Sequence, residues 1–277
     1  MSTRSTAVLR QEIESSLAAR IPGALSVHFR ESPELVATGI AEVDALLQGG
    51  LPLGGLSEVA GPACSGKTTL VSSLLARVTQ QGAACAYVDV ADAFDPHSSA
   101  AIGIDLGRLL WVRAGRTEEQ GWARLDRALR ATDLLLSAGG FRVIVLDLGD
   151  VRSEQVRRVP LASWYRYRLQ AEKSQALFLL VTQMPCAKSC ASVVLHCAEA
   201  QERWESASKK DERKDEKQDP QKDGLLLLNG FQFHVSADCK RRGVSREPAP
   251  REPILMFGKK LASTVETFWQ RTTHWAK

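Results

Sequence analysis

The sequence predicts an α/β protein: a mostly parallel sheet with helices on both faces and antiparallel strands at its C-terminal end. Three observations predict it. Short apolar runs of strand length alternate with helix-length segments between residues 56 and 183, the pattern of strands buried on both faces. A glycine-rich anion-binding motif falls at one strand-to-helix junction. Beyond Gln183 the apolar runs follow one another with no helix between them, as hairpins do and parallel crossovers do not.

Taken in order, residues 6–20 read as a helix, with Val8, Leu9, Ile13 and Leu17 near helical spacing. Pro22 and Gly23 end it, and residues 1–35 form an N-terminal helix and linker. A less regular stretch leads to the turn-rich GGLPLGG at Gly49–Gly55. Leu56–Ala60 is a short strand, Gly61–Thr68 a loop, and the next helix carries Leu70, Val71, Leu74, Leu75 and Val78. Ala84–Val90 and Leu109–Ala114 are strands. Thr117–Gln120 is a capping box opening a helix to Ala138, which Gly139 and Gly140 stop. Phe141–Leu148 is a buried strand, Pro160 opens a helix through Lys173, and Ala176–Gln183 is another buried strand. SVVLHCAEAQ, LLLLNGFQFHVSADCK and ILMF complete the antiparallel end. The core thus spans 36–258 and leaves a tail at 259–277. Within the core, 205–224 is dense in charge, nearly balanced in sign and without apolar anchors, a solvated, mobile hairpin loop.

Composition excludes more than it assigns. A net charge of +4 leans only mildly toward polyanions. The first twenty residues hold no uninterrupted apolar segment, and no run approaches a membrane span, so a cytoplasmic protein without membrane attachment is expected. Of the six cysteines, Cys186 and Cys190 are four apart with no second Cys/His pair at zinc-site spacing. Cys85 and Cys197 lie inside apolar runs as small buried hydrophobes. Neither a disulfide framework nor a zinc site is expected.

The chemistry concentrates at GPACSGKT, residues Gly61, Pro62, Ala63, Cys64, Ser65, Gly66, Lys67 and Thr68, with Thr69 following. Gly61 and Gly66 let the backbone curl so that successive N–H groups face an anion. The next helix adds its positive N-terminal end. Lys67 reaches the β- and γ-phosphates of a nucleotide as a point charge, and Thr68 offers its hydroxyl to Mg2+. Asp147 ends the buried run VIVLD and holds the same Mg2+ through water. ATP with Mg2+ is the expected ligand.

These residues carry a resemblance. TGIAEVDALLQGGLPLGGLSEVAGPACSGKTTL, GAACAYVDVADAFDP, VIVLD, the pair Thr182–Gln183 and FQFHVSADCKRR resemble, in matching order, the RecA-like P-loop ATPase family. The resemblance covers most of 36–257 and implies that family's P-loop NTPase core. It implies that Gln183 matches a glutamine sensing the γ-phosphate, and that Asp95 is placed to meet the adenine amine. Lys240 and Arg242 sit where lysines reach the neighbouring subunit's nucleotide.

Departures from the pattern matter as much. The family motif D-A-E-H-A-L-D-P supplies a glutamate that activates water. The stretch Asp89–Pro96 places Ala91 there, and a methyl group cannot polarise water. Asp92 is adjacent but points elsewhere. No aromatic matches the family's adenine-stacking tyrosine, since His97 and Ser98 follow Pro96. The segments matching the two DNA loops, LGDVRSEQVRRVPLASWYRYR and MPCAKSCAS, are altered and short. In these respects the chain resembles the ImuA group, RecA-related accessory proteins of the bacterial damage-inducible (SOS) mutagenesis cassette. That resemblance implies partners in an ImuB-like Y-family polymerase relative and an error-prone polymerase, with the RecA filament or a second copy of itself as further candidates. It implies weak or absent ATP hydrolysis and little direct DNA binding. A DNA-dependent ATPase doing strand exchange, or a RecA-fold regulator of another process such as cell division, are the competing functions.

Three surfaces remain. Arg152, Arg157, Arg158, Arg166 and Arg168 are interleaved with Trp164, Tyr165 and Tyr167. Leu161, Trp164, Tyr165 and Leu169 read as the buried stripe of one helix, leaving the arginines for DNA or a partner. The segment from Asp238 onward is basic. The tail aromatics Phe268, Trp269 and Trp275 suit docking a partner.

Overall fold

The computed structural model describes residues 15–16, 33–115, 121–198, 201–206, 226–239 and 254–257. The chain divides into two units, 1–33 and 34–277. In the first, Ser15 and Ser16 are helical, and the rest of the expected helix at 6–20 lies outside the described residues. So do the capping box at 117–120, most of the charged segment 205–224, Lys240, Arg242 and the tail 259–277.

In the second unit the strands are β1 (Leu35–Val36), β2 (Leu51–Pro52), β3 (Gly55–Ala60), β4 (Cys85–Asp89), β5 (Leu109–Arg113) and β6 (Val143–Asp147). They continue as β7 (Leu177–Thr182), β8 (Val193–Cys197), β9 (Gln201–Ser206), β10 (Leu226–Cys239) and β11 (Ile254–Phe257). The helices are α1 (Ala41–Leu46), α2 (Lys67–Gln80), α3 (Pro96–Ile102), α4 (Gly121–Ala138), α5 (Ser153–Val156) and α6 (Leu161–Ser174).

The main sheet runs β11-β10-β8-β3-β7-β6-β4-β5, with β9 also paired to β10. From β8 to β5 every pairing is parallel. β10 is antiparallel to β8, β9 and β11. The expected class therefore holds, with one correction. Of SVVLHCAEAQ, Val193–Cys197 forms β8, which joins β3 in parallel before the antiparallel end begins, and only Gln201 belongs to β9. β9 pairs antiparallel with β10.

The apolar runs follow from two-sided burial. Val143 and Val145 face one core with Leu70, Leu74 and Leu75 of α2, whereas Ile144 and Leu146 face a second core with Leu125 of α4 and Trp164 of α6. Period-two alternation sends successive side chains to opposite faces, so both must be apolar. The stretch before Gly49, expected to be irregular, contains α1. Asp44 anchors it by accepting from Thr38 N at 2.6 Å and Thr38 Oγ1 at 2.8 Å. β1 and β2 form a separate two-stranded sheet.

The buried stripe of α6 is also corrected. Trp164, Tyr167 and Ala171 are at most 1% exposed, while Leu161, Tyr165 and Leu169 are 44, 52 and 38% exposed. Tyr167 turns inward because its hydroxyl finds a partner, donating to the Leu129 carbonyl at 2.9 Å. Its ring meets Phe178 edge-on. Arg166 lies over that ring and pairs with Asp133 at 3.2 Å.

Candidate phosphate-binding site

The site sits at the C-terminal ends of β3, β6 and β4, where ligands of open α/β sheets gather. β3 delivers Gly61, whose N–H donates to Thr182 O at 3.2 Å. The loop then curls over Pro62–Ser65, with the Ser65 hydroxyl donating to Pro62 O at 2.8 Å. Gly66 stands at the N-cap of α2 with φ +81° and no side-chain cap. That conformation is natural for glycine, and the uncapped N–H groups of the first turn are left to face an anion.

Lys67 begins α2 and is buried, and its ammonium donates to the carbonyls of Gly61 and Pro62. Burial holds its pKa below the usual lysine value, against the upward pull of neighbours that include Asp147 and Asp150. The residue expected to reach β- and γ-phosphates is thus folded back across the mouth of its own loop. Thr68 is exposed and Thr69 half-buried.

Asp147 comes up beside the loop. A Cβ on Gly149 would lie 3.1 Å from Asp147 Oδ1 and 3.7 Å from Lys67 Cε, so the carboxylate and the lysine flank one glycine. Asp147 accepts from the Tyr87 hydroxyl and, at 2.8 Å, from Gly149 N. Burial pushes its pKa up, opposed by those two hydrogen bonds. The Tyr87 hydroxyl is driven well above its ordinary value by burial first and by Asp147 second. Each carboxylate oxygen keeps a further lone pair, so Asp147 fits the role of accepting from water on a Mg2+ held by Thr68.

Every aspartate at the end of β4 is engaged. Asp89 accepts from Ala93 N at 3.2 Å, Phe94 N at 2.9 Å and Trp111 Nε1 at 3.3 Å. Asp92, with φ +60°, takes both prongs of Arg113 at 2.6 and 2.7 Å, so it points away as expected. Asp95 caps α3, accepting from His97 N at 3.0 Å and Ser98 N at 3.2 Å and from the Ser98 hydroxyl. Its capacity to meet an adenine amine is correspondingly reduced. Ala91 lines a recess of about 440 Å3 with Arg124, Asp150, Arg152 and Gln155.

Gln183 follows β7, and its side-chain oxygen accepts from the Ser153 hydroxyl at 3.3 Å. This ties the segment after Gln183 to the segment after Asp147. A second tie escaped the sequence reading. Glu58, fully buried in β3, accepts from Thr182 Oγ1 at 3.0 Å, Cys186 N at 2.8 Å and Ala187 N at 3.1 Å. The only sequence signal was an acidic residue inside the apolar strand LSEVA, since a buried carboxyl must be hydrogen-bonded. Glu58→Ala strands three buried donors at about 1–3 kcal/mol each. A drop of about 10 °C or more in the thermal midpoint is expected by calorimetry; an unchanged midpoint would show that the donors find other partners.

Among the described residues, no cluster of His, Cys, Asp or Glu gathers to hold a metal by itself. Among the described residues, no helix is long and apolar enough to cross a membrane. No disulfide joins any of the six cysteines, and Cys85, Cys186, Cys190 and Cys197 are buried.

A glycine loop between a parallel strand and a helix, completed by a lysine and by a strand-end aspartate from across the sheet, defines a P-loop α/β protein. The RecA N-terminal domain family matches residues 13–152, just over half of the chain, and the chain belongs to that family. It is 37% identical to Protein RecA of Crocosphaera subtropica over 118 residues, 43% of this chain and 32% of that protein. It is 40% identical to Protein RecA of Pseudomonas fluorescens over 121 residues, again 43% and 32%. The chain therefore aligns with about a third of the length of these curated relatives. Among solved structures, the RadB recombinase superposes with a TM-score of 0.46 at 22% identity, covering 59% of this chain and 83% of that one.

Proposed function

We propose that the chain binds ATP with Mg2+ at Gly61–Thr69 and acts as a RecA-related accessory factor in the bacterial DNA damage response and translesion mutagenesis. Its hydrolysis is weak or absent. The loop N–H groups and the start of α2 hold the phosphates, Lys67 swings from its carbonyl partners to the β- and γ-oxygens, and Thr68 and Asp147 hold Mg2+. The bound metal neutralises charge on the phosphates. Gln183 stands between the nucleotide and the segment that follows it.

One observation carries the accessory reading: position 91 is an alanine, and the aspartates flanking it in sequence, Asp89, Asp92 and Asp95, are each engaged elsewhere. A general base must reach the proton it removes, and these carboxylates are committed to backbone, indole, guanidinium and cap contacts. The loops favour the same reading. Met184–Ser192 is pinned to Glu58, and the segment after Asp147 buries Leu148, Val151, Val156 and Val159 in the core. Segments fastened this way present little adaptable surface to single-stranded DNA.

The partners inferred by resemblance are an ImuB-like Y-family polymerase relative and an error-prone polymerase, working in the cytoplasm. A phosphate-release assay on the full chain, with and without single-stranded DNA, tests the proposal. Mg2+-dependent ATP binding with turnover unmoved by DNA is expected. DNA-stimulated turnover at recombinase-like rates would replace the accessory role with strand exchange.

A further inference from the structure

Both glycines of the loop rest on the strands that lead into the antiparallel end of the sheet. A Cβ on Gly61 would fall 2.3 Å from the Cys197 carbonyl oxygen. On Gly66 it would fall 2.5, 2.8 and 2.9 Å from three carbons of the Phe233 ring. Backbone and ring are therefore in direct contact at the residue that turns the loop into α2. Cys197 and Phe233 lie on paired strands, β8 and β10: Cys197 lies opposite Val235, and Ala198 N donates to His234 O at 2.9 Å. The Cys197 thiol, pushed up to about 11 by burial, stays neutral there.

Phe233 is also the point where the loop meets the rest of β10. It packs against the core beneath α2 and stands opposite Met256 of β11, while residues 226–232 of the same strand pair with β9. A loop that binds an anion through converging N–H groups is sensitive to displacements of a fraction of an ångström. Whatever restrains Gly66 restrains the ring, and through the ring the strand that organises all the antiparallel partners.

Building on ATP binding at this loop, we propose that Phe233 is a positioning residue of the nucleotide site. Through it the β9–β10–β11 extension reads whether the loop is occupied. ATP fixes Gly66 and so orders β10, and a loosened β10 weakens ATP, because coupling between two sites is reciprocal. The β9–β10–β11 extension is the surface whose order changes with the nucleotide.

Hydrogen exchange on the full chain, with and without Mg2+-ATP, tests this together with calorimetric ATP titration. In the wild type, exchange at 226–239 slows several-fold on binding. In Phe233→Ala the affinity falls about five-fold or more, and protection of 226–239 by ATP disappears while that of 61–68 persists. If circular dichroism shows that Phe233→Ala does not fold, Phe233→Leu, which keeps apolar volume without the ring, is read by the same two criteria. A wild type that binds ATP without slowing exchange at 226–239, or a folded variant of wild-type affinity, overturns the coupling and leaves ATP binding intact. A wild type that binds no ATP overturns both.

Discussion

Lys67→Ala is expected to weaken Mg2+-ATP binding by about 100-fold or more while the protein stays folded. A hydrogen bond to a charged group contributes about 1.5–3 kcal/mol, and an ammonium meeting both β- and γ-oxygens makes at least two. About 3 kcal/mol in binding is more than a hundred-fold in Kd. The folded state loses less. Lys67 spends its ammonium on the carbonyls of Gly61 and Pro62, at a pKa that burial holds down. Removing it relieves that desolvation, and of the two acceptors left behind, the Pro62 carbonyl belongs to an exposed residue and only the Gly61 carbonyl to a buried one. Isothermal titration and a thermal melt check the two halves. Unchanged affinity would remove the phosphate site, and collapse of the melt would make Lys67 a structural residue first.

The core of this fold was legible because two-sided burial leaves few choices. The stretches at 143–146 and 177–181, covered on both faces, are apolar at every position. The phosphate loop was legible for a related reason, since few residues tolerate its backbone. Gly66 at φ +81° with a ring against its Cα admits glycine and little else.

What escaped depends on contacts between elements far apart in sequence. Glu58 reads as an ordinary polar residue in a short strand until β7 and the loop after it bring three donors within 3.1 Å. The stripe of α6 was placed one residue out of phase for a similar reason. Helical periodicity constrains a face, but Tyr167 goes inside because Leu129, on another helix, supplies an acceptor for its hydroxyl. Phe233 looked like one more apolar position in an alternating strand. Its role in the site appears only when β10 is folded beside β8 and over Gly66. Asp95 illustrates the converse: its short spacing to Ser98 already encodes the cap that competes with any nucleotide contact.

Ala91→Glu is the complementary experiment, a predicted gain. A positioned general base contributes about 100- to 10,000-fold to a rate, and in the proposed function position 91 is where such a group is lacking. The recess beside Ala91 has the volume for the longer side chain. Its walls decide how much of the gain appears. Arg124 and Arg152 face the same space, and a guanidinium close to a carboxylate stabilises the charged form, lowering its basicity; Asp150 acts in the opposite sense. The expected increase in ATP turnover is therefore at the lower end of the range, about 100-fold. Arg152→Gln added to Ala91→Glu should raise it further, because one of the two competing cations is gone. Initial-rate measurements on both variants decide the matter. Turnover that stays at the wild-type level in both, with ATP affinity intact, would mean that something other than the absent carboxylate limits hydrolysis at this site.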